Sequence, residues 1–139
     1  MNETSEERVG NVLVVDDEPE INNVVKAYLT DIGFDCQCVS SAEAGLAMVH
    51  SNEFDCILLD VKMPGQSGID MLKTLQQKHS KIPVVMMTAN DDADTAMQAL
   101  GGGACAYITK PFSRHRLLMT MMQVFDIRER ELKNESSRK

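Results

Sequence analysis

The sequence predicts an α/β fold: a doubly wound, five-stranded parallel sheet of order 2-1-3-4-5 with helices on both faces. Three observations predict it. Along the 139 residues, short apolar runs alternate five times with segments of helical periodicity, the expected trace of parallel strands joined by crossover helices. The runs are continuous rather than alternating in polarity, as strands covered on both faces are. Glycine or proline punctuates several of the junctions. Right-handed crossovers leave few topologies open, and 2-1-3-4-5 is chosen by analogy with known doubly wound sheets.

The elements follow in order. Residues 11–16 (NVLVVD) read as a strand closed by acid. In residues 18–31, Ile21, Val24, Val25, Tyr28 and Leu29 recur at helical spacing, and Gly33 supplies the stop. A second strand covers 34–39. Ser41 is an N-cap for a helix over 42–50. Residues 55–60 (DCILLD) form a third acid-closed strand, and 63–68 (MPGQSG) a loop. Ile69, Met71, Leu72 and Leu75 mark the third helix. A fourth strand over 82–87 ends at Thr88, and a helix over 91–100 stops at Gly101-Gly102-Gly103. A fifth strand over 104–109 leads into Lys110-Pro111. The last helix starts near Ser113 and continues to about Lys133, with Met119, Met121 and Met122 expected as core filler.

Composition bounds the function. Apolar residues make up 43% and charged residues 25%, ordinary for one globular domain. The formal net charge of -7, from 21 acidic and 14 basic side chains, opposes binding to nucleic-acid phosphates. Neither a leader-like segment nor an apolar run of roughly 18 residues is present, so no membrane contact and a cytoplasmic location are expected. Cys36, Cys38, Cys56 and Cys105 lie scattered in apolar stretches, and His50, His79 and His115 add no ligand spacing. Buried, reduced thiols are expected, with Cys36 and Cys38 on one side of a strand. The chain divides into a flexible tail over 1–9, one domain over 10–127, and a charged helix end or linker over 128–139. There Arg128, Glu129, Arg130, Glu131 and Lys133 mix signs, with Glu129 and Lys133 at i,i+4 spacing.

The chemistry gathers at strand ends. In open parallel sheets, sites form beyond the carboxyl ends of strands where the order reverses. The first strand ends in Asp16-Asp17 with Glu18 beside them, the third in Asp60, the fourth in Thr88, and the fifth in Lys110. Neighbouring first and third strands would bring three carboxylates together, and these repel unless one is protonated or a cation intervenes. Magnesium answers that need, because it takes one or two carboxylates and keeps positions for water and phosphate. Asp17 and Asp60 are expected as direct ligands of Mg2+ (Mn2+ as an alternative), with Asp16 acting through water. Asp60 then serves as a carboxylate nucleophile at phosphorus. Lys110 and Thr88 meet the other phosphoryl oxygens, since this chemistry needs mainly positioning and charge neutralisation.

These residues resemble the receiver domain of two-component response regulators, within the CheY-like, flavodoxin-like group of folds. The resemblance spans about residues 10–127. Asp16-Asp17, Asp60 followed by Met63-Pro64-Gly65, Thr88-Ala89, Tyr107 and Lys110-Pro111-Phe112 carry it. Each dipeptide is weak, whereas the ordered set is specific. The resemblance implies that Asp60 is the phosphoacceptor, fed by a sensor histidine kinase or phosphotransfer protein. It implies metal ligation by Asp17, Asp60 and the backbone carbonyl of Lys62. It further implies that Thr88 and Tyr107 form a switch pair and that the Lys110-Pro111 bond is cis. Lys62 and Asn90 fall at positions that tune autodephosphorylation in that family. Gly101-Gly102-Gly103 is richer in glycine than usual, and Ala106 stands where an acid is frequent.

Taken singly, Asp16 and Asp17 are equally compatible with helix capping, Lys110 with a solvated charge and Tyr107 with edge packing. Two other function classes compete: a Mg2+-dependent phosphatase and a binding module without chemistry. Residue 62 is lysine where a phosphatase would want an acid/base carboxylate, and the intact acid, hydroxyl and amine set speaks against an inert module. The expected role is a switch that assists its own modification, not an enzyme turning over a separate substrate. Its output would pass to an effector domain or protein, or to a homodimer formed on phosphorylation.

Overall fold

A computed structural model describes residues 10–63, 65, 67–78, 80–89 and 93–137, with side chains described except at 93, 95, 96 and 127–137. The expected tail over 1–9, Asn90, and the Glu129–Lys133 pair fall outside the described residues or side chains. The elements run β1 (Asn11–Val15), α1 (Pro19–Ile32), β2 (Asp35–Val39), α2 (Ala42–Ser51), β3 (Cys56–Asp60), α3 (Gly68–Gln77), β4 (Val84–Ala89), α4 (Ala93–Gly101), β5 (Ala106–Lys110) and α5 (Arg114–Ser137). The sheet has the predicted order β2-β1-β3-β4-β5, and all four pairings are parallel.

Alternation along the central strands builds two cores. Leu13, Val15, Ile57, Leu59 and Met86 face α2 and α3, where Ala42, Met71, Leu72 and Leu75 meet them. Val12, Val14, Leu58, Val85 and Met87 face the opposite way, against Val25 and Leu29 of α1 and Leu117, Met121 and Val124 of α5. Residues 12–15 and 56–59 are completely buried, which is why these strands read as unbroken apolar runs. Each such side chain contributes about 1.5–3 kcal/mol by leaving water.

Local chemistry sets the helix ends. Ser41 Oγ accepts from Ala44 N at 3.1 Å, and Ser113 Oγ accepts from Arg116 N at 3.0 Å. Ser67 and Asp70 form a reciprocal capping box at the start of α3. β4 starts two residues later than the sequence predicts, because Pro83 has no N–H for the ladder and offers only its carbonyl, to Ile57 N. β5 also starts late, at Ala106. Gly103 takes the left-handed conformation (φ 108°), and Ala104 N still donates to Ala99 O of α4 at 3.0 Å.

Two packing expectations are corrected. Of the three late methionines only Met121 is buried, whereas Met119 and Met122 are exposed. The buried stripe of α5 runs Leu117, Met121, Val124 at i, i+4, i+7, and positions 119 and 122 fall off that stripe. No disulfide joins the four cysteines, but only Cys56 is fully buried and Cys105 is exposed. Cys36 and Cys38 are half-buried on one side of the edge strand β2, with their Sγ atoms 3.9 Å apart. Among the described residues no helix is long and apolar enough to cross a membrane.

The start of α3 presses directly on the end of β3. Gly68 N donates to Val61 O at 2.9 Å, and a Cβ at Gly68 would overlap the carbonyl oxygen of Asp60. Gly68→Ala should therefore lower stability by about 1–3 kcal/mol in urea unfolding, because backbone rather than a flexible side chain must give way. An unchanged midpoint would show that this junction relaxes freely.

Candidate functional site

Register brings the predicted residues to one edge. Val15 lies opposite both Val39 and Leu59, so Asp16 and Asp60 emerge side by side where the strand order reverses. Asp60 is opposite Met87, and Ala89 opposite Lys110. Thr88 and Lys110 therefore stand at the same end of the sheet. Ligand oxygens of Asp16, Asp17 and Asp60 lie within 4.8 Å of one another. A cleft of about 160 Å³ opens beside them, lined by Glu18, Asp60, Val61, Lys62, Thr88, Ala89 and Lys110.

Asp16 is fully buried and held from three directions. Its amide donates to Val39 O at 3.1 Å, its Oδ1 accepts from Glu18 N at 2.9 Å, and its carbonyl accepts from Asn22 Nδ2 at 2.8 Å. Asp16 Oδ2 receives no well-directed hydrogen bond, and its balance is the Lys110 ammonium at 2.8 Å. That ammonium also lies 3.2 Å from Glu18 Oε1 and 3.3 Å from Asp60 Oδ1. Asp60 Oδ1 accepts a long bond, 3.4 Å, from Lys62 N. The Thr88 hydroxyl donates to Ala89 O at 3.0 Å, while the ring of Tyr107 lies exposed. The Lys110-Pro111 peptide is cis, as the resemblance implied.

Crowding leaves an electrostatic mark. Burial and then the nearby Asp16 charge push the Asp60 carboxyl from 3.8 up to about 6, although Lys110 and the Lys62 amide pull the other way. Burial alone would lower the Lys110 ammonium, but Asp16, Asp60 and Glu18 outweigh it and the net shift is upward. One amine thus remains cationic against several acids.

The donor set fits a hard divalent cation. Three carboxylates face one small volume, and a buried Asp16 oxygen lacks a hydrogen bond. The adjoining cleft leaves room for water or phosphate oxygens, the coordination that magnesium prefers. A closed thiolate or imidazole site would need softer ligands.

Three contributors had no role in the sequence reading. Glu18 was noted beside the acid pair, yet its reach to Lys110 crosses 92 positions of chain. Asn22 braces Asp16 from one turn into α1, a contact with no recognisable spacing. Gly68 appeared only as loop punctuation, although a glycine shortly after the acid-ended strand was the available signal.

A pH dependence follows from the raised Asp60 carboxyl. A folded-state value above the unfolded one contributes stability below about pH 4 that is lost as pH rises through about 6. In metal-free buffer, unfolding free energy should fall across that window. Asp60→Asn should flatten this fall and be more stable than wild type by about 1–3 kcal/mol at about pH 7.5. Denaturant titrations at several pH values check this, and parallel profiles for the two proteins would contradict it.

The family described as response regulator receiver domain matches residues 12–122. The DNA-binding transcriptional regulator NtrC of Salmonella typhimurium is 39% identical over 103 residues, covering 74% of this chain and 22% of the relative. The response regulator protein PilR of Pseudomonas aeruginosa is 36% identical over 105 residues, covering 76% and 24%. The receiver domain of NtrX from Brucella abortus aligns with a TM-score of 0.80 at 30% identity, over 83% of this chain and 98% of that one. The chain spans about a quarter of the length of the curated relatives it matches. Similarity in sequence and in fold over nearly all the described strands and helices makes this chain a member of the response-regulator receiver family, the phosphorylation-activated switches of two-component signalling.

Proposed function

We propose that Asp60 is the residue phosphorylated in this receiver and that Lys110 and Thr88 assist the transfer. The observation that carries the reading is the Lys110 ammonium, 3.3 Å from Asp60 Oδ1 at the edge of a cleft, with Asp16 and Asp17 gathered beside Asp60. Mg2+, or Mn2+ in its place, would be held by Asp17, Asp60 and the Lys62 carbonyl, with Asp16 acting through water. Once bound, the ion supplies charge neutralisation for the phosphoryl oxygens.

The protein's own groups do the rest. Asp60, still largely ionised at neutral pH with its carboxyl near 6, attacks phosphorus of a phosphohistidine on a sensor histidine kinase or phosphotransfer protein. The P–O bond forms as the P–N bond breaks, and the released imidazole takes up a proton. Lys110 stabilises one equatorial oxygen. Thr88 gives up its bond to Ala89 O and donates to another, while the exposed Tyr107 ring turns inward behind it. Binding two states unequally is what converts the modification into a signal.

The domain proper is read as residues 10–127, with 128–139 as a helical connection and 1–9 as a tail. Regulation rather than turnover of a separate substrate is the expected activity. Output would pass to an effector domain or protein, or to a homodimer formed on phosphorylation. A net charge of -7 argues against nucleic-acid contact through this chain, and a cytoplasmic location fits a kinase-fed switch.

Incubation with Mg2+ and acetyl phosphate should add one labile phosphoryl group by intact mass, and Asp60→Asn should show none. Sustained phosphate release far beyond one equivalent would favour a phosphatase instead. Mg2+ alone should raise the melting temperature of wild type by about 2–6 °C at millimolar concentration, and that of Asp17→Asn by much less. Equal shifts in both proteins would remove Asp17 from the metal site.

A further inference from the structure

Lys110 has three N–H donors and no acceptor, and three carboxylates surround it: Asp16 at 2.8 Å, Glu18 at 3.2 Å and Asp60 at 3.3 Å. One donor makes a directed hydrogen bond to Glu18 Oε1, whereas Asp16 Oδ2, buried beside the ammonium, receives none. A phosphoryl oxygen arriving beside Asp60 would compete with these carboxylates for the ammonium. Asp16 and Asp60 have side chains 0% and 8% exposed, whereas that of Glu18 is 60% exposed. Releasing Asp16 would strand a buried charge, which is costly. Releasing Glu18 returns a carboxylate to water, and exposed pairs of this kind contribute little.

We propose that Glu18 is a placeholder for the phosphoryl group: it occupies one Lys110 donor in the resting state and restricts entry of small phosphate-bearing ligands to the cleft. Glu18 is thus a positioning residue acting through Lys110, and this reading rests on the proposed role of the cleft. Its location supports the assignment. Glu18 sits at the N-cap of α1 but makes no side-chain capping bond there, so Glu18→Gln removes no capping hydrogen bond from α1. The side chain lines the cleft mouth together with Lys62 and Ala89. Removing its charge should lower both the repulsion felt by an incoming anion and the competition for the ammonium.

The test compares wild type, Glu18→Gln and Glu20→Gln. Glu20 is an exposed acid in the first turn of α1 and controls for bulk charge. Inorganic phosphate, titrated in the presence of Mg2+ and followed by amide NMR shifts, should bind Glu18→Gln about 2- to 5-fold more tightly than wild type. Glu20→Gln should match wild type. Phosphorylation by acetyl phosphate should accelerate in Glu18→Gln by a similar factor, and the gain should shrink at high salt. Equal or weaker phosphate binding in Glu18→Gln overturns the placeholder, as does an equal gain in Glu20→Gln. The two readings fail separately. An adduct that survives Asp60→Asn overturns the phosphoacceptor assignment, whereas the phosphate titration needs no covalent transfer and still judges Glu18.

Discussion

One cation among several acids governs this molecule. The Lys110 ammonium contacts Asp16, Glu18 and Asp60, which arrive from the loop after β1 and from the end of β3. A half-buried amine at that point is the only described charge that offsets a fully buried Asp16. The sheet order makes the meeting geometrically possible. With β1 next to β3, the acids adjoin; with β5 two strands from β3, the long lysine side chain still reaches back.

The arrangement trades stability for reactivity. Asp60 is buried beside another carboxylate, and its raised carboxyl near 6 records the conflict. A site optimised for stability alone would neutralise one acid. Keeping both leaves a strong attraction for a divalent cation and a nucleophilic oxygen poised at the mouth of a cleft. The supporting structure is correspondingly firm: Asp16 is fastened through its amide, carbonyl and Oδ1, and Gly68 lets α3 abut the Asp60 carbonyl.

The same strand connects the site to the surface. β5 carries Lys110 at its end and the exposed Tyr107 three residues earlier. Exposed apolar side chains concentrate on the flanking helices, with Met97 and Leu100 on α4 and Met119 and Met122 on α5. Lys110 and the exposed Tyr107 are thus only three residues apart along one strand.

The strand order came by analogy and was fixed by the pairing of the folded sheet, whereas the sequence by itself determined the fold class and the acids, hydroxyl and amine at the strand ends. These were legible because parallel strands buried on both faces must be unbroken apolar runs, and because the sites of such sheets lie where those runs stop. The element ends were blurred where proline or a left-handed glycine delayed a strand, as at Val84 and Ala106. Only the tertiary structure decided which methionines are buried, because helical phase at positions 119 and 122 depends on where α5 touches the sheet. Only it disclosed that Glu18 shares Lys110 and that Gly68 lies under Asp60. Periodicity records which face is apolar, but a contact across 92 positions is set by how far the folded sheet brings two ends together.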